Sequence, residues 1–255
     1  MMNRSLLAIF ATITLDAAGI GLTLPIIPGL LRDVGHVGDL GWRFGAFLSL
    51  YALMQFLASP LLGVLSDRIG RRPVLLLSLA GAAIDYLFMA FAPSLILLFV
   101  GRAIAGVTAS NMAVASAYIA DVTPEHMRAR RFGQLSACFG IGFIAGPVVG
   151  GMLGEVWIRA PFLAAALLNT ANLVVTFFLV RESRAAEPAG TARPSLNPLA
   201  PLRWALGFPV LLPLIGAFVA FSFIGEIAGT IWMLYGEDRF AWSPVTIGIS
   251  LAGFG

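Results

Sequence analysis

The sequence predicts an all-α integral membrane protein, and three observations carry that reading. Of 255 residues, 59% are hydrophobic and only 11% charged, where a soluble domain carries about 25% charge; the mean hydropathy is +0.91. Apolar stretches recur at the length a helix rising about 1.5 Å per residue needs to cross roughly 30 Å of hydrocarbon. The arginines, finally, are sorted between alternate loops.

The first stretch, about 5–31, contains Asp16, Pro25 and Pro28. It is too long for the apolar core of a secretory signal and no small-x-small cleavage site follows, so it reads as a retained first span. The second runs over about 42–64 and the third over about 74–92, and between them lies GVLSDRIGRRPV (63–74), four charges in twelve residues. A fourth span is expected at about 94–120, a fifth at 134–154 and a sixth at 160–180. Residues 182–203, ESRAAEPAGTARPSLNPLAPLR, have the Pro, Ala and charge content of a flexible linker. A seventh span follows at about 208–235, and an eighth starts after Trp242. No stretch alternates apolar and polar residues as a barrel strand does.

Six helices, a linker and a new set of helices predict a two-bundle transporter. The expected organisation is an N-terminal six-helix bundle over 1–181, a cytoplasmic linker over 182–206, and the first one to two helices of a C-terminal bundle over 207–255. The chain ends at LAGFG inside the eighth span, as a fragment of a longer reading frame would, or a chain without the rest of its second bundle.

All sixteen basic residues are arginine. With the N-terminus inside, eleven fall in cytoplasmic segments, among them Arg68, Arg71 and Arg72, against four in the opposite loops, with Arg102 inside a span. The positive-inside rule therefore places the N-terminus and the 63–74 loop in the cytoplasm. This sorting also accounts for the net charge of +3, and no nucleic-acid partner is needed to explain it. The lone Cys138 forms no disulfide framework, and His36 and His126 lie on opposite sides of the membrane. No zinc spacing, phosphate loop or Ser/His/Asp set is present, so neither an enzyme nor a metal site is expected.

Asp16, Asp85, Arg102 and Glu226 each stand within apolar sequence. A charge there costs about 2.5–3.5 kcal/mol on insertion scales, and such residues face a bundle interior or a wet cavity. Burial favours the neutral carboxyl and a nearby guanidinium the ionised one, so a carboxyl between the two can load and release a proton. Two readings stay open: proton coupling or substrate contact by Asp16 and Asp85, or structural pairing of one of them with Arg102. In the loop, Gly63 reads as a point of close helix approach, Asp67 precedes a turn at Gly70, and an arginine of the loop can pair with Asp121 at the end of the fourth span. Gly142, Gly146 and Gly150 recur every four residues beside Pro147, the pattern of a close-packing face with a favoured bend.

These residues resemble the major facilitator superfamily. GVLSDRIGRRPV is similar to the family's loop signature between helices two and three, GxLaDrxGrkxxl. The run Gly133, Gly142, Gly146, Pro147, Gly150 and Gly151 fits g(x8)GxxxGPxxGG, a signature of the drug/proton antiporter branch. LYALMQF, GRRPVLLLSLAGAAIDY, AYIADVT, SACFGIGFIAGPVVGG, APFLAAALLN, GEDRF and TIGISLA further resemble, in order, stretches of the tetracycline/proton antiporters.

The resemblance implies a major facilitator fold in a bacterial inner membrane. It implies efflux of a small-molecule drug, tetracycline as a divalent-metal chelate, in exchange for protons. The proton gradient is then the energy source, no cofactor is bound, and Mg2+ travels with the substrate. Asp16, Gln55, Asp85, Arg102, Asn111 and Glu226 would belong to the proton-coupling and substrate cavity, and Gly63, Asp67, Arg68, Gly70, Arg71, Arg72 and Asp121 to a conformational gate. The departures concern substrate: Ala109, Asn111 and Met112 replace a glycine-rich stretch of the fourth span, Ser222 and Glu226 stand where glutamines are usual, and Ala228 where proline is. Export of another amphipathic drug or metabolite, or a non-transporting membrane sensor or partner subunit, are the alternatives.

Overall fold

The computed structural model describes residues 4–36, 40–183, 203 and 205–253, with the backbone alone for 226–230. Every regular element among them is helical. The chain runs through α1 (Arg4–Thr23), a 3-10 turn (Leu24–Ile26), α2 (Ile27–Gly35), α3 (Gly41–Ile69), α4 (Arg71–Phe91), α5 (Leu95–Thr108) and α6 (Asn111–Val122), then α7 (Glu125–Val156), α8 (Ala160–Leu179), α9 (Leu212–Phe240) and α10 (Pro244–Ala252). Among the described residues, six segments are long and apolar enough to cross a membrane: α1 with α2, α3, α4, α5 with α6, α7, and α8.

Local chemistry sets where these helices break. Pro25 lies in the 3-10 turn and Pro28 in the first turn of α2; each lacks the N–H that an uninterrupted ladder would use, and a first turn tolerates that loss. The expected continuous fourth span is two helices instead. Thr108 turns its hydroxyl back onto the Ile104 carbonyl at 3.0 Å, Ala109 is extended, and the Ser110 hydroxyl pairs with Ser78 at 2.6 Å. A Thr-Ala-Ser-Asn run offers the backbone such local partners, and the ladder yields to them. α7 starts nine residues before the expected fifth span, at Glu125. At 32 residues it is about 48 Å long, so the exposed, arginine-rich first turns extend past the hydrocarbon.

Two apolar cores stack along the helices. One gathers Ile9, Ile13, Leu62, Leu75, Leu79, Val114 and Ile119 toward the 63–74 turn. The other gathers Leu30, Phe44, Phe47, Met89 and Phe162 toward the opposite face, where Met233 and Ile247 join it.

The glycines of α7 set how closely the first span approaches. A Cβ at Gly146 would stand 2.7 Å from the Ala18 carbonyl oxygen and 2.7 Å from Gly21 Cα, and at Gly142 and Gly150 it would overlap the carbonyl oxygens of Thr14 and Leu22. Gly151 faces the other way, 2.6 Å by the same measure from the Pro244 carbonyl oxygen of α10. Two other glycines named from the sequence make no close approach: a Cβ at Gly133, the first glycine of the signature, or at Gly63 of α3 would meet nothing within 4 Å. Gly63 is therefore not a point of close helix approach, and the packing face begins at Gly142.

Gly150→Ala is expected to destabilise the detergent-solubilised protein by about 1–3 kcal/mol through overpacking. Gly133→Ala and Gly63→Ala should stay within about 0.5 kcal/mol of the parent. Parallel thermal unfolding curves check the contrast, and equal losses at all three positions would refute it.

Candidate functional site

The 63–74 stretch folds into one turn, and Arg71 gathers part of its charge: it pairs with Asp67 of the turn and with Asp121 of α6. α3 ends at Ile69, Gly70 takes φ 102° and ψ 162°, and α4 starts at Arg71. That positive φ is open to glycine and strained for any other residue. Arg71, 7% exposed, folds back over the turn. Its Nη2 lies 2.7 Å from Asp67 Oδ1, Nη1 donates to Ser66 Oγ at 2.6 Å, and Nε donates to Asp121 Oδ2 at 3.1 Å, at the end of α6. Gly63 contributes a carbonyl oxygen, which accepts from Ser66 Oγ at 2.8 Å. Arg68 is exposed, while Arg72 reaches α8, donating to the Phe177 carbonyl at 2.6 Å with its guanidinium 4.9 Å from the Phe177 ring.

A residue the sequence reading assigned to the linker completes this turn. Glu182 accepts from the backbone N–H of Arg71 at 2.8 Å and of Arg72 at 3.1 Å. The first N–H groups of a helix have no partner within it, and a side chain at the preceding residue normally supplies one. Gly70 has no side chain to offer, so the acceptor comes from another span; a Cβ at Gly70 would also overlap the Glu182 carboxylate. Glu182 is held in place by the end of α8, where Ser5 Oγ donates to the Leu179 carbonyl at 3.2 Å and Tyr118 Oη to the Arg181 carbonyl at 2.9 Å. Ser183 Oγ adds a bond to Asp121 Oδ2 at 3.2 Å. Of the rest of the expected linker, residues 184–202 and 204 lie outside the described residues.

A second set of polar residues lies between the two apolar cores, at one level along the helices. Asp85, 2% exposed, is paired with Arg102, 11% exposed at its side chain; Arg102 Nε also donates to Asp85 Oδ1 at 3.3 Å. The guanidinium stands 5.4 Å from the ring centroids of both Phe47 and Tyr51. Asp85 is thus the carboxylate that takes Arg102. Asp16 instead accepts from Asn111 Nδ2 at 2.8 Å, because the break before α6 brings Asn111 to its first residue, opposite α1. Gln55 is half-buried on α3, where α5 comes close at Gly106. The Glu226 side chain lies outside the described residues.

About a turn from that level, among the residues of the core nearer the 63–74 turn, lie polar residues that the sequence reading did not single out. Thr12 and Thr176 share a hydrogen bond of 2.8 Å, and Asn172 Nδ2 donates to the Thr12 carbonyl at 3.0 Å. Asn169, Asn172 and Thr176 are all fully buried, and their spacing of three and four residues within LLNTANLVVT, one helical face, was the available signal. Chemically the layer holds one carboxylate neutralised by a cation and another held by a neutral amide. A proton added at Asp16 changes the charge of the layer beside a partner that carries none.

A family model described as Major Facilitator Superfamily matches residues 9–255. The chain belongs to that family. It is 51% identical over 253 residues to the class C tetracycline resistance protein of Escherichia coli, covering 99% of this chain and 64% of that protein. It is 46% identical to the class G tetracycline resistance protein of Vibrio anguillarum, covering 100% of this chain and 65% of that protein. The chain thus spans about 64% of the length of these relatives. Among solved structures, the human organic anion transporter MFSD10 (TETRAN) superposes with a TM-score of 0.72 at 24% identity, over 98% of this chain and 68% of that one. This likeness shows the fold alone, an all-helical one.

In this major facilitator chain, Glu182→Ala should lower stability by about 1 kcal/mol, as loss of a helix cap does, with Glu182→Gln losing less because its carbonyl oxygen still accepts. Gly70→Ala should cost at least as much, about 1–3 kcal/mol for a side chain at positive φ. Unfolding in mild detergent measures all three, and a Gly70→Ala protein as stable as its parent would refute this account of the turn.

Proposed function

We propose that this chain is the greater part of a proton-coupled efflux antiporter that exports tetracycline, as a magnesium chelate, across a bacterial inner membrane and so confers antibiotic resistance. The observation that carries the proposal is the buried layer, two membrane-embedded carboxylates on different spans with different partners, in a chain half identical to a protein named for tetracycline resistance. Asp16, Asp85, Arg102, Asn111, Gln55 and Glu226 form the proton and substrate cavity in this reading. Asp67, Arg71, Asp121 and Glu182 govern the conformational change. The N-terminus and the 63–74 turn face the cytoplasm, as the arginine sorting argues.

The mechanism is alternating access. A coupling ion shifts an equilibrium only through different affinities for the two states. A proton arriving at Asp16 from the acidic outside stabilises one state, and loading of the cationic metal chelate from the cytoplasm, on the ionised layer, stabilises the other. The proton gradient supplies the energy, and Mg2+ enters only as part of the substrate.

Everted vesicles carrying this chain, and separately any longer natural polypeptide that contains it, test the reading. Adding magnesium and tetracycline should release protons from the acidified lumen. Asp16→Asn and Asp67→Asn should each reduce the rate by at least about tenfold, a barrier change near 1.4 kcal/mol, with membrane insertion intact. Proton release unchanged in Asp16→Asn would remove it from coupling, and no release from any polypeptide would favour a different exported drug.

A further inference from the structure

The ion pairs among the described residues join arginine to carboxylate: Arg71 to Asp67 and Asp121, Arg102 to Asp85, Arg159 to Asp33, and Arg32 of α2 to Glu237 and Asp238 of α9. Asp16 is held differently. It stands in mid-span on α1, half-buried, and the group that donates to it is neutral, Asn111 Nδ2 at 2.8 Å. Arg102 bonds to both oxygens of Asp85, so a proton arriving there displaces a cation. At Asp16 it displaces nothing charged. Tyr51 of α3 and Tyr86 of α4 lie within electrostatic reach of Asp16, as they do of Asp85 and Arg102. α7 meets α1 with Gly142 and Gly146, and α8 meets it with Asn169 and Asn172, none of which carries a charge.

The amide beside Asp16 is only half used. Asn111 is 9% exposed, and its Oδ1 is buried with no hydrogen-bond partner among the described residues. A buried acceptor without a donor is costly, and native proteins leave few. Asn169 Oδ1 shares that condition, but the Asn169 amide closes on its own helix, donating to the Ala165 carbonyl at 3.3 Å. The Asn111 amide is instead bonded to a group that can acquire a proton. A carboxylate only accepts, whereas a carboxylic acid has one O–H to donate. The unmet oxygen and the donor it lacks thus belong to one pair, one proton apart.

We propose that Asn111 holds Asp16 in both of its protonation states. With the carboxylate ionised, Nδ2 donates to Oδ1, as in the structure described. When a proton binds Asp16 Oδ2, the new O–H donates to Asn111 Oδ1 while Nδ2 keeps its bond, and acid and amide are joined twice. The O–H is the only covalent bond formed, and it breaks again when the proton leaves. The loaded carboxyl is then satisfied without water and without a cation, and the set of Asp16, Asp85 and Arg102 becomes neutral. Asn111 acts through Asp16, as a positioning residue, and the break in the fourth span is what brings its amide there. The proposal deepens the proton-coupled reading given above and rests on it.

Infrared difference spectra between neutral and acidic pH, recorded on the full natural polypeptide in lipid films, test the pair without any substrate. The Asp16 acid carbonyl band, identified by its loss in Asp16→Asn, should appear together with a shift of an amide carbonyl band that Asn111→Leu removes. In Asn111→Leu the acid band should move to higher wavenumber, because its hydrogen bonds are gone. Asp16→Asn combined with Asn111→Asp exchanges acid and amide and should bring the band back toward the parent position, a rescue that a merely structural role for Asn111 would not give. In everted vesicles, Asn111→Leu should slow tetracycline-driven proton release about tenfold or more, the loss expected for one hydrogen bond to a charged group. An acid band at the same position in the parent and in Asn111→Leu, or no amide response to acidification, would overturn the pair. Absence of proton release in the parent would instead sink the proposed function, while the infrared bands still decide whether Asn111 follows the proton.

Discussion

A polar group within hydrocarbon has no water to turn to, and must find its partner inside the protein. That constraint organises the interior of this chain. Asp85 and Arg102 are brought together from α4 and α5, Asp16 and Asn111 from α1 and α6, and Thr12 with Asn172 and Thr176 from α1 and α8. Each bond joins helices that the apolar cores above and below would pack with little regard to register. Leucine and isoleucine tolerate sliding by a turn; a carboxylate on its guanidinium does not. These polar contacts therefore fix the rotation and height of five helices, and the apolar cores supply the bulk of the contact.

Much of this was legible in the sequence, for reasons that are local. Span length and the isolated Asp16, Asp85 and Arg102 are properties of short windows, and membrane physics reads them directly. Pairing of a loop arginine with Asp121 was also within reach, because both lie at span ends on one predicted face. Glu182 was not. It follows the sixth span in a stretch whose composition is that of a linker, and its partners are backbone N–H groups 110 and more positions earlier, which side-chain patterns cannot reveal. Gly63 failed in the opposite sense: a glycine beside a helix end suggests close packing, yet its Cβ position is open and its carbonyl is what the turn uses. The break in the fourth span had a local signal in Thr108, Ser110 and Asn111, masked by the apolar residues on either side.

Glycine acts in two distinct ways here. On α7 it is the missing side chain that matters, since Gly142, Gly146 and Gly150 let the backbone of α1 approach to distances no Cβ allows. At Gly70 backbone freedom and missing volume act together: positive φ turns the chain, and the vacated space receives the Glu182 carboxylate. The turn thus exchanges a local cap for a tertiary one. A helix capped by its own neighbour would start wherever the sequence told it to; α4 starts where α8 ends.

The two charged sites differ in what they join, and this bears on how the chain can move. Asp67, Arg71, Asp121, Glu182 and Ser183 all belong to or immediately follow the first six spans, and their bonds bind α3, α4, α6 and the end of α8 into one rim. Such a web stiffens a bundle; by itself it does not attach that bundle to another. Arg32 with Glu237 and Asp238 does the reverse, leaving the first bundle and crossing to α9. The rocking proposed above would need both kinds of contact, since a soft bundle would dissipate in bending the displacement that a substrate or proton imposes at mid-membrane. Protein interiors switch between packed arrangements rather than deforming continuously, so under the proposed mechanism a stiff rim on one face is what would carry a local change at Asp16 to the helices of that face together.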